Sequence, residues 1–263
     1  MKNLVIGNTS QVSHFFPENF QKISSRNLDF DFLKKNEWDE VHLCFGESRK
    51  FLDESNYYEE INYSLTKELI ELLNYNSKKI VIYSTCELWN KYSGSISLSQ
   101  PFDFYLTPYL ESKYRITKFV LNNKKLKNTL VMFPFNFNSI YRDENFLFGK
   151  IFNSIIHKKE ILIGDTYFYR DLIHPKFVVK ESLMSKTHKI IGSGRLTHVN
   201  DFIRDLYKNF DLSYNDLVKE ESSKFVEYDK RNEYYLKNNK CLYPYNELLI
   251  DTYQDIKKKF THE

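Results

Sequence analysis

The chain is poor in the residues that build cross-linked or metal-stapled proteins. Its 263 residues include three cysteines, Cys44, Cys86 and Cys241, and no CxxC pair. A disulfide framework and a zinc ribbon are therefore not expected, no metal site is predicted, and a reducing cytoplasm is the expected compartment. Glycine occurs seven times, under half of the roughly 7% found in average proteins.

Long apolar segments and a large excess of one charge are also missing. No run reaches the roughly 18 apolar residues of a membrane helix, and the N-terminus lacks the apolar region of a signal peptide. Lys plus Arg number 38 against 35 Asp plus Glu, a net charge of +3. Neither a membrane nor a nucleic acid is therefore expected as a partner. Hydrophobic residues make up 41%, which supplies a core and excludes global disorder.

The first half alternates short apolar segments with helical patterns. Strands are predicted at 2–6, 21–26, 39–45, 79–84 and 128–133, and helices at 62–73 and 109–121. Pro17 limits any helix between residues 12 and 20 to a short one, because proline is tolerated only in the first helical turn. This alternation predicts an α/β fold with a parallel sheet.

The second half is less regular. It has helical patterns at 146–156, 200–210 and 246–260, and short apolar segments at 160–163 and 189–191. The sequence contains no internal repeat, and no long linker separates the two halves. We therefore expect the second half to pack onto the first rather than to form an independent domain.

The turn after the first predicted strand is a candidate phosphate site. A strand that ends in glycine and opens a helix presents free N–H groups to an anion. The usual fingerprint would place glycines at residues 7, 10 and 13, but Gly7 is followed by Ser10 and Ser13. Serine is small enough for a pyrophosphate to approach closely. The alternative is an ordinary turn between a strand and a helix.

Polar residues follow the fourth predicted strand. Ligands of doubly wound sheets bind beyond the carboxyl ends of the strands. The segment 84–89 (STCELW) places the Thr85 hydroxyl and the Glu87 carboxylate there. The alternative is a turn in which Ser84 and Thr85 cap the next element.

A tyrosine and a lysine four residues apart on a helix share one face, and the ammonium lowers the pKa of the phenol toward neutrality. Spacing alone does not identify such a pair here. Five pairs have it: Tyr63–Lys67, Tyr75–Lys79, Tyr109–Lys113, Tyr114–Lys118 and Tyr253–Lys257. Only Tyr109–Lys113 follows the fourth strand at 24 residues after Thr85, which makes it the candidate acid–base pair.

Eight segments resemble, in the correct order, the extended short-chain dehydrogenase/reductase family. Its members are epimerases, dehydratases and reductases of nucleotide-linked sugars. The matching segments, each followed by the family motif, are VIGNTSQVS (VTGATGFIG), DEVHLCFGES (D-x-V-x-H-L-A-A), Asn62 with SLTKELIELL (N-V-x-G-T-x-N-L-L-E-A), YSTCELWN (S-T-x-E-V-Y-G), PYLESKYRITKFV (P-Y-x-x-S-K-x-x-x-E), FPFNFNSIY (R-P-F-N-x-Y-G), YRDLIHPKFVVK (R-D-F-I-H-V-D-D-V-V) and IIGSGRLTHVNDFI (N-I-G-S-G-x-x-x-S-V-x-E-L). The resemblance covers nearly the whole chain.

This resemblance implies a Rossmann-like, doubly wound parallel sheet with a small C-terminal substrate-binding lobe. Residues 1–135 would form the dinucleotide-binding part. Residues 136–263 would form mainly the substrate lobe, with about 165–195 returning to the Rossmann core. Many relatives pair through the helix that carries the Tyr and Lys, so a homodimer is expected.

The resemblance also implies site residues. Tyr109 would be the catalytic acid–base, Lys113 would hold the cofactor ribose, and Thr85 would bind the reacting sugar oxygen. Glu87 matches the position of a second acid–base in some members. The other implied residues bind cofactor or substrate: Gly7, Ser10, Gln11, Val12, Arg26 and Cys44 for the cofactor, and Cys86, Asn136 and Arg170 for the substrate.

Two roles have a plainer alternative. Arg170 would pair with a substrate phosphate, but a local salt bridge with Asp171 is the alternative. Asn62 would support the active-site helix, which is a structural role. Neither residue is needed for the proton transfer itself.

Departures from the family pattern narrow the reaction. Cys86 stands where dehydratases carry an acidic residue, and a thiol is a poor proton donor to a leaving hydroxyl, so dehydration is not expected. Arg26 follows the second predicted strand together with Ser24 and Ser25. An arginine there suits a 2′-phosphate, which favours NADP, with NAD possible.

The predicted function is NAD(P)-dependent reduction of a nucleotide-linked 4-keto sugar, as used in the synthesis of surface-polysaccharide sugars. An epimerase with tightly bound NAD is the first alternative. Glu87 also leaves open a route that needs a second base. A non-catalytic sugar-nucleotide-binding relative is the alternative of another class, because Ser10 and Ser13 replace the cofactor-binding glycines.

Overall fold

The computed structural model describes residues 2–48, 55–221 and 233–260, and its chain divides into two compact units. The first unit comprises Met1–Asn90, Pro101–Pro134 and Val179–Ile191. The second comprises Lys91–Gln100, Phe135–Val178 and Gly192–Glu263. Each unit is therefore assembled from segments that are distant in sequence.

The strands are short, with none longer than six residues within the described chain. In chain order they are β1 (Asn3–Ile6), β2 (Phe20–Ile23), β3 (Glu40–Leu43), β4 (Ile80–Tyr83), β5 (Gly94–Ile96), β6 (Thr129–Pro134), β7 (Asn136–Phe137), β8 (Ile161–Ile163), β9 (Tyr169–Arg170), β10 (Leu172–Ile173), β11 (Lys189–Ile191), β12 (Thr197–His198), β13 (Val218–Glu220) and β14 (Tyr234–Leu236).

The α-helices alternate with these strands. They are α1 (Phe30–Lys35), α2 (Ser55–Tyr58), α3 (Thr66–Leu73), α4 (Pro108–Asn122), α5 (Leu147–His157), α6 (Pro175–Met184), α7 (Val199–Asn209), α8 (Tyr214–Leu217) and α9 (Tyr245–Phe260). Two 3-10 helices cover Ser13–Phe15 and Cys86–Trp89, and a π-helix over Glu59–Leu65 joins α2 to α3.

One parallel sheet forms the centre of the first unit. Its order is β11-β6-β4-β3-β1-β2, and every neighbouring pair is parallel. The strand order reverses at β1, because β2 lies on one side of it and β3, β4, β6 and β11 follow on the other, so the switch point of this doubly wound sheet is between β1 and β3. All six residues of β6 are buried, which fits a sheet covered on both faces. The predicted Rossmann-like sheet is confirmed.

The connection from β1 to β2 is unusually compact. Between these strands the chain forms only the three-residue 3-10 helix Ser13–Phe15, followed by Pro17 and by β2. This confirms that the proline leaves room for only a short helix. The first α-helix, α1, begins after β2 and is capped by Asp29, whose carboxylate accepts the Phe32 N–H at 2.9 Å.

The second unit is held by helices and two-stranded ladders. Strands β7 and β10, β8 and β13, and β5 and β14 pair in parallel, whereas β9 and β12 are antiparallel. Aromatic side chains of α5 and α7 meet in its core, with the rings of Phe148 and Phe202 centred 5.9 Å apart. Helices and strands of two to four residues bury little area by themselves. The packing of α5 against α7 therefore supplies stability to the second unit.

A buried carboxylate organises the loop after β11. Asp171 is fully buried and accepts the backbone N–H groups of Ser193, Gly194 and Leu236 at 2.7, 3.1 and 3.1 Å. The same carboxylate leaves no room for a side chain at Gly192, because a Cβ there would lie 2.7 Å from an Asp171 carboxylate oxygen. Asp171 thus ties the 193–194 turn to β14 within the second unit.

Within the described part of the chain, no helix has the length and hydropathy needed to cross a membrane. The same residues contain no group of three or more His, Cys, Asp or Glu side chains arranged to hold a metal ion.

Candidate active site

Gly7 directly follows β1 and packs against the segment that follows β3. Its φ is +103°, and a Cβ at this position would lie 2.7 Å from the Phe45 backbone nitrogen and 3.0 Å from the Cys44 carbonyl carbon. Gly7 N–H donates to the Ile23 carbonyl at 2.9 Å. Only glycine fits a backbone that is both left-handed and this closely approached, so the ends of β1, β2 and β3 meet at this turn.

The two serines that replace the fingerprint glycines bond to each other. The Ser13 hydroxyl donates to the Ser10 carbonyl at 2.6 Å, and the Ser13 N–H donates to the Ser10 hydroxyl at 3.2 Å. Gln11 and Val12 between them are buried. Because the helix that follows has three residues, the turn can offer backbone N–H groups to a phosphate but not the aligned dipoles of a longer helix.

Arg26 lies at the same edge of the sheet. It is exposed three residues after the end of β2, and its N–H donates to the Ser24 hydroxyl at 3.1 Å. Gly7 and Asn8 both donate to Ile23, the last residue of β2. The structure therefore places Arg26 beside the turn at Gly7.

Cys44 packs under this edge. Its N–H donates to the Ile6 carbonyl at 2.8 Å, and its side chain hydrogen-bonds with the Tyr83 side chain. Burial raises the pKa of the Cys44 thiol well above its usual range. The thiol therefore stays protonated, so Cys44 is not a reactive thiolate at neutral pH.

Thr85 caps the short helix after β4. Its hydroxyl oxygen accepts the Glu87 N–H at 3.2 Å, which is the capping geometry that the sequence left as an alternative. The hydroxyl proton is still available to donate. Cys86 is buried, whereas Ser84 bonds to Thr117 of α4 at 2.8 Å. Strand β4 and helix α4 are thus joined directly beneath Thr85.

Helix α4 places Lys113 at the carboxyl ends of β3 and β4. The Lys113 Nζ donates to the Tyr83 carbonyl at 3.0 Å. A Cβ on Gly46, after β3, would lie 3.2 Å from the same Nζ. Desolvation lowers the pKa of Lys113 to about 8, so the ammonium form persists at neutral pH and sits in a poorly hydrated position.

Tyr109 lies one helical turn before Lys113 on the same face of α4. It is 8% exposed, and its ring meets Tyr58 edge-on at 6.3 Å. Thr107 caps α4 by accepting the Leu110 N–H at 3.2 Å, and Pro108 occupies the first helical turn. These residues start the helix just before Tyr109, which fixes its orientation.

Asn62 connects this helix to the loop after β3. Its side-chain nitrogen donates to the Glu47 carbonyl at 3.0 Å and to the Ser112 hydroxyl at 3.1 Å, and its oxygen accepts the Glu47 N–H at 2.8 Å. Asn62 is 2% exposed. Its contacts are those of a structural residue that holds α4 in place, as the sequence predicts.

The depressed pKa of Lys113 predicts a pH dependence of stability. Between about pH 8 and 10.5 the folded protein releases a proton that the unfolded chain keeps, so stability should rise with pH in this window. The variant Lys113→Met has no titrating group at this position. The free energy of unfolding of the wild-type protein, minus that of the variant, should therefore increase across the window in urea titrations. Parallel curves would show that the lysine is not desolvated.

The second unit holds the two remaining predicted residues, Asn136 in β7 and Arg170 in β9. The Arg170 guanidinium donates to the Tyr169 carbonyl at 2.8 Å and lies 4.8 Å from the Phe168 ring centre. The alternative of a local salt bridge with Asp171 is not observed, because that carboxylate accepts the three backbone N–H groups described above.

Residues of the site that the sequence did not indicate are mainly backbone groups. The Tyr83 carbonyl and Gly46 surround Lys113, and the only signal for either was the position at the end of a predicted strand. A buried series of hydrogen-bonded side chains was also not predicted: His42 bonds to the Tyr83 hydroxyl at 2.9 Å and to Glu40 at 2.8 Å. Burial lowers the pKa of His42, which favours a neutral imidazole between these two groups.

Comparison with known proteins was made by sequence and by structure. No family model matches the sequence, and no curated protein matches it. Many solved structures share the fold. UDP-N-acetylglucosamine 4-epimerase from Methanobrevibacter ruminantium, in complex with UDP-N-acetylmuramic acid, has a TM-score of 0.78 at 15% identity, with 100% of both chains covered.

Two further structures contain a dinucleotide. UDP-glucuronic acid 4-epimerase from Bacillus cereus, in complex with UDP-glucuronic acid and NAD, has a TM-score of 0.74 at 18% identity and covers 98% of this chain and 99% of its own. RMD from Pseudomonas aeruginosa, complexed with NADPH, has a TM-score of 0.74 at 13% identity and covers 98% and 100%. The chain therefore has, over its whole length, the fold shared by these nucleotide-sugar and NADPH-binding structures, and the resemblance predicted from the sequence is confirmed at the level of fold.

Proposed function

We propose that the protein is an NADPH-dependent reductase of a nucleotide-linked 4-keto sugar. The observation that carries the proposal is the position of Lys113. A desolvated ammonium group lies at the carboxyl ends of β3 and β4, next to the boundary between β1 and β3 at which the doubly wound sheet changes direction, and Tyr109 lies one turn away on the same helix. This is the position at which such sheets bind ligands.

The residues have distinct tasks in this scheme. The hydride that reduces the ketone carbon would come from NADPH, once bound. Tyr109 donates its phenolic proton to the oxygen that becomes the hydroxyl, and Thr85 orients that oxygen through a hydrogen bond. The Lys113 ammonium stabilises the phenolate left on Tyr109 and offers donors to the ribose. The protein's contribution is positioning and charge, since the redox chemistry belongs to the cofactor.

The compact turn after β1 favours reduction over epimerisation. An epimerase returns its NAD to the starting oxidation state and benefits from never releasing it, whereas a reductase must exchange NADP for NADPH after each turnover. A pyrophosphate at Gly7 meets a helix of three residues, so it gains little from a helix dipole. Weaker retention of the dinucleotide suits the exchange that a reductase requires.

The substrate would be held by the second unit. Arg170 suits a diphosphate, because a guanidinium binds two phosphate oxygens at once, and Asn136 is the other proposed substrate contact of this unit. Cys86 is a proposed substrate contact that belongs to the first unit. Glu87 is the proposed second acid–base. The solved structures of the same fold that contain UDP-sugars support a nucleotide-linked sugar as the class of substrate. The homodimer and the cytoplasmic location stay predictions.

Removing Arg26 tests the choice of cofactor. If its guanidinium binds the 2′-phosphate, Arg26→Ala should weaken NADPH about 10- to 100-fold, the loss of a charge-assisted bond, and leave NADH nearly unchanged. Lys34→Ala removes an exposed cation from the last turn of α1 and serves as the control. Dissociation constants from fluorescence titration of cofactor-stripped protein measure both. An equal loss for the two dinucleotides would rule out this role for Arg26.

A second candidate is the non-catalytic sugar-nucleotide binder, which the same compact turn supports. The two proposals differ in one experiment. Cofactor-stripped protein is titrated with NADPH and NADH and then assayed for NADPH oxidation with nucleotide-linked 4-keto sugars. Saturable NADPH binding and turnover support the reductase. Folded protein that binds UDP-sugars but neither dinucleotide would support the non-catalytic candidate, and co-purified NAD would indicate the epimerase.

A further inference from the structure

A cavity of about 380 Å³ lies within the second unit, and the function proposed above does not use it. Its volume is in the range of sites for small molecules. The wall combines polar side chains from four segments: the turn after β11, strand β12, helix α7 and the start of α9. The polar residues that bear on its chemistry are Arg195, Thr197, His198, Asp201, Asp205 and Tyr245.

Two carboxylates of this cavity are oriented by neighbouring donors. Asp201 and Asp205 lie one turn apart on α7 and therefore on one face. The Tyr245 hydroxyl donates to Asp205 at 2.5 Å, and His198 Nδ1 lies 3.0 Å from an Asp201 oxygen. Burial and the Asp205 carboxylate raise the pKa of Tyr245, so it remains a donor. A carboxylate accepts several hydrogen bonds, so both retain capacity for a ligand.

The charge of the cavity disfavours phosphate. Its wall contains one arginine against two aspartates. Such a lining repels an anion and tolerates a neutral or cationic group. The Arg195 guanidinium donates one N–H to the Gly194 carbonyl at 3.0 Å. It carries further donors that a ligand can use. The cavity therefore has both donors and acceptors, and its charge favours a neutral or cationic ligand over a phosphate.

Aromatic rings stand beside these polar groups. Tyr169 and Tyr167 are not part of the cavity wall but flank its His198: they are 43% and 61% exposed, and their ring centres lie 4.9 and 5.8 Å from that of His198. Exposed tyrosine rings offer flat apolar faces, and the C–H faces of a pyranose ring pack on such surfaces. Carboxylates that accept from hydroxyl groups complete the set of contacts that a polyhydroxylated ligand needs.

We propose that this cavity is a second sugar site, which binds an unphosphorylated neutral or amino hexose through Asp201, Asp205, Arg195 and Tyr245. The ligand differs in charge from the diphosphate proposed for Arg170. The site therefore takes a free sugar or the sugar end of a glycan, and not the nucleotide part of the reductase substrate. The proposal does not rest on the reductase assignment.

The test uses the full chain and three probes of different charge. Methyl glucoside, glucosamine and glucose 1-phosphate are titrated separately, with binding followed by saturation-transfer NMR. We expect glucosamine and methyl glucoside to bind and glucose 1-phosphate to bind at least about ten-fold more weakly. Asp205→Asn should lower the affinity for glucosamine about ten-fold, the loss of one charge-assisted hydrogen bond. Tyr245→Phe should also lower it, because it removes the donor that orients the Asp205 carboxylate.

Two further variants separate binding from folding and from charge. The Asp201 side chain is 70% exposed, so Asp201→Asn should fold normally and still lose affinity about ten-fold. Asp216→Asn removes the same charge from an exposed position on α8 outside the cavity and should bind like wild type. Tightest binding of glucose 1-phosphate, equal binding by the cavity variants, or no binding of any probe would each overturn the proposal.

Discussion

Replacing Tyr109 by phenylalanine should lower the rate of NADPH-dependent reduction by about 10²- to 10⁴-fold, the usual contribution of a positioned acid–base group. The variant loses only the phenolic oxygen, so the buried ring still packs against Tyr58. Binding of NADPH should change little, since the lysine and the turn at Gly7 are untouched. Stopped-flow measurement of NADPH oxidation separates the chemical step from cofactor binding.

The same helix offers a matched control. Tyr114 and Lys118 have the same four-residue spacing on α4, with the Lys118 ammonium 5.8 Å from the Tyr114 ring centre. Tyr114 packs instead against Phe102 and Phe104. Tyr114→Phe should therefore retain wild-type turnover. A loss of similar size in both variants would show that α4 tyrosines act on folding, and an unaffected Tyr109→Phe would remove the proposed mechanism.

The second large effect concerns the turn at Gly7. Gly7→Ala adds a Cβ at a φ of +103°, 2.7 Å from the Phe45 nitrogen. Left-handed backbone strain and the forced shift of β3 together should cost about 2–5 kcal/mol of unfolding free energy. We expect Tm to fall by roughly 5–15 °C, with a matching loss of any dinucleotide affinity because the turn must open.

Gly94 separates strain from close approach. Its φ is +84°, but a Cβ there meets no heavy atom within 4 Å. Gly94→Ala therefore carries the conformational strain without the clash, about 1–2 kcal/mol. Differential scanning calorimetry of the two variants measures the difference. Equal destabilisation would mean that the approach of β1 to the segment after β3 is less tight than the structure shows.

The architecture of the first unit was accessible from sequence because local patterns carry it. The strand at 79–84 reads as a continuous apolar run, and the observed β4 is buried in three of four residues. Pro17 by itself predicted that no full helix follows β1, and the structure has three helical residues there. These features depend on side-chain period and on backbone chemistry within a few residues.

The site was less accessible because its contacts span the chain. Spacing alone left five Tyr–Lys pairs, and the choice among them relied on chain order. The bond from Lys113 to the Tyr83 carbonyl joins residues 30 positions apart. The capping role of Thr85 was one of two open alternatives. Instead of forming a salt bridge with Arg170, the Asp171 carboxylate accepts a backbone N–H of β14, 65 residues away.

The sequence by itself determined the α/β alternation, the short connection after β1 and the presence of a tyrosine and a lysine on one helical face. Those are consequences of residue order within a single element. Only the tertiary structure decided that Lys113 is desolvated at the ends of β3 and β4, that Gly7 admits no side chain, and that Asp171 serves the backbone. Strand register and helix docking bring distant groups to within hydrogen-bond distance, and burial then sets their charge, which no local pattern encodes.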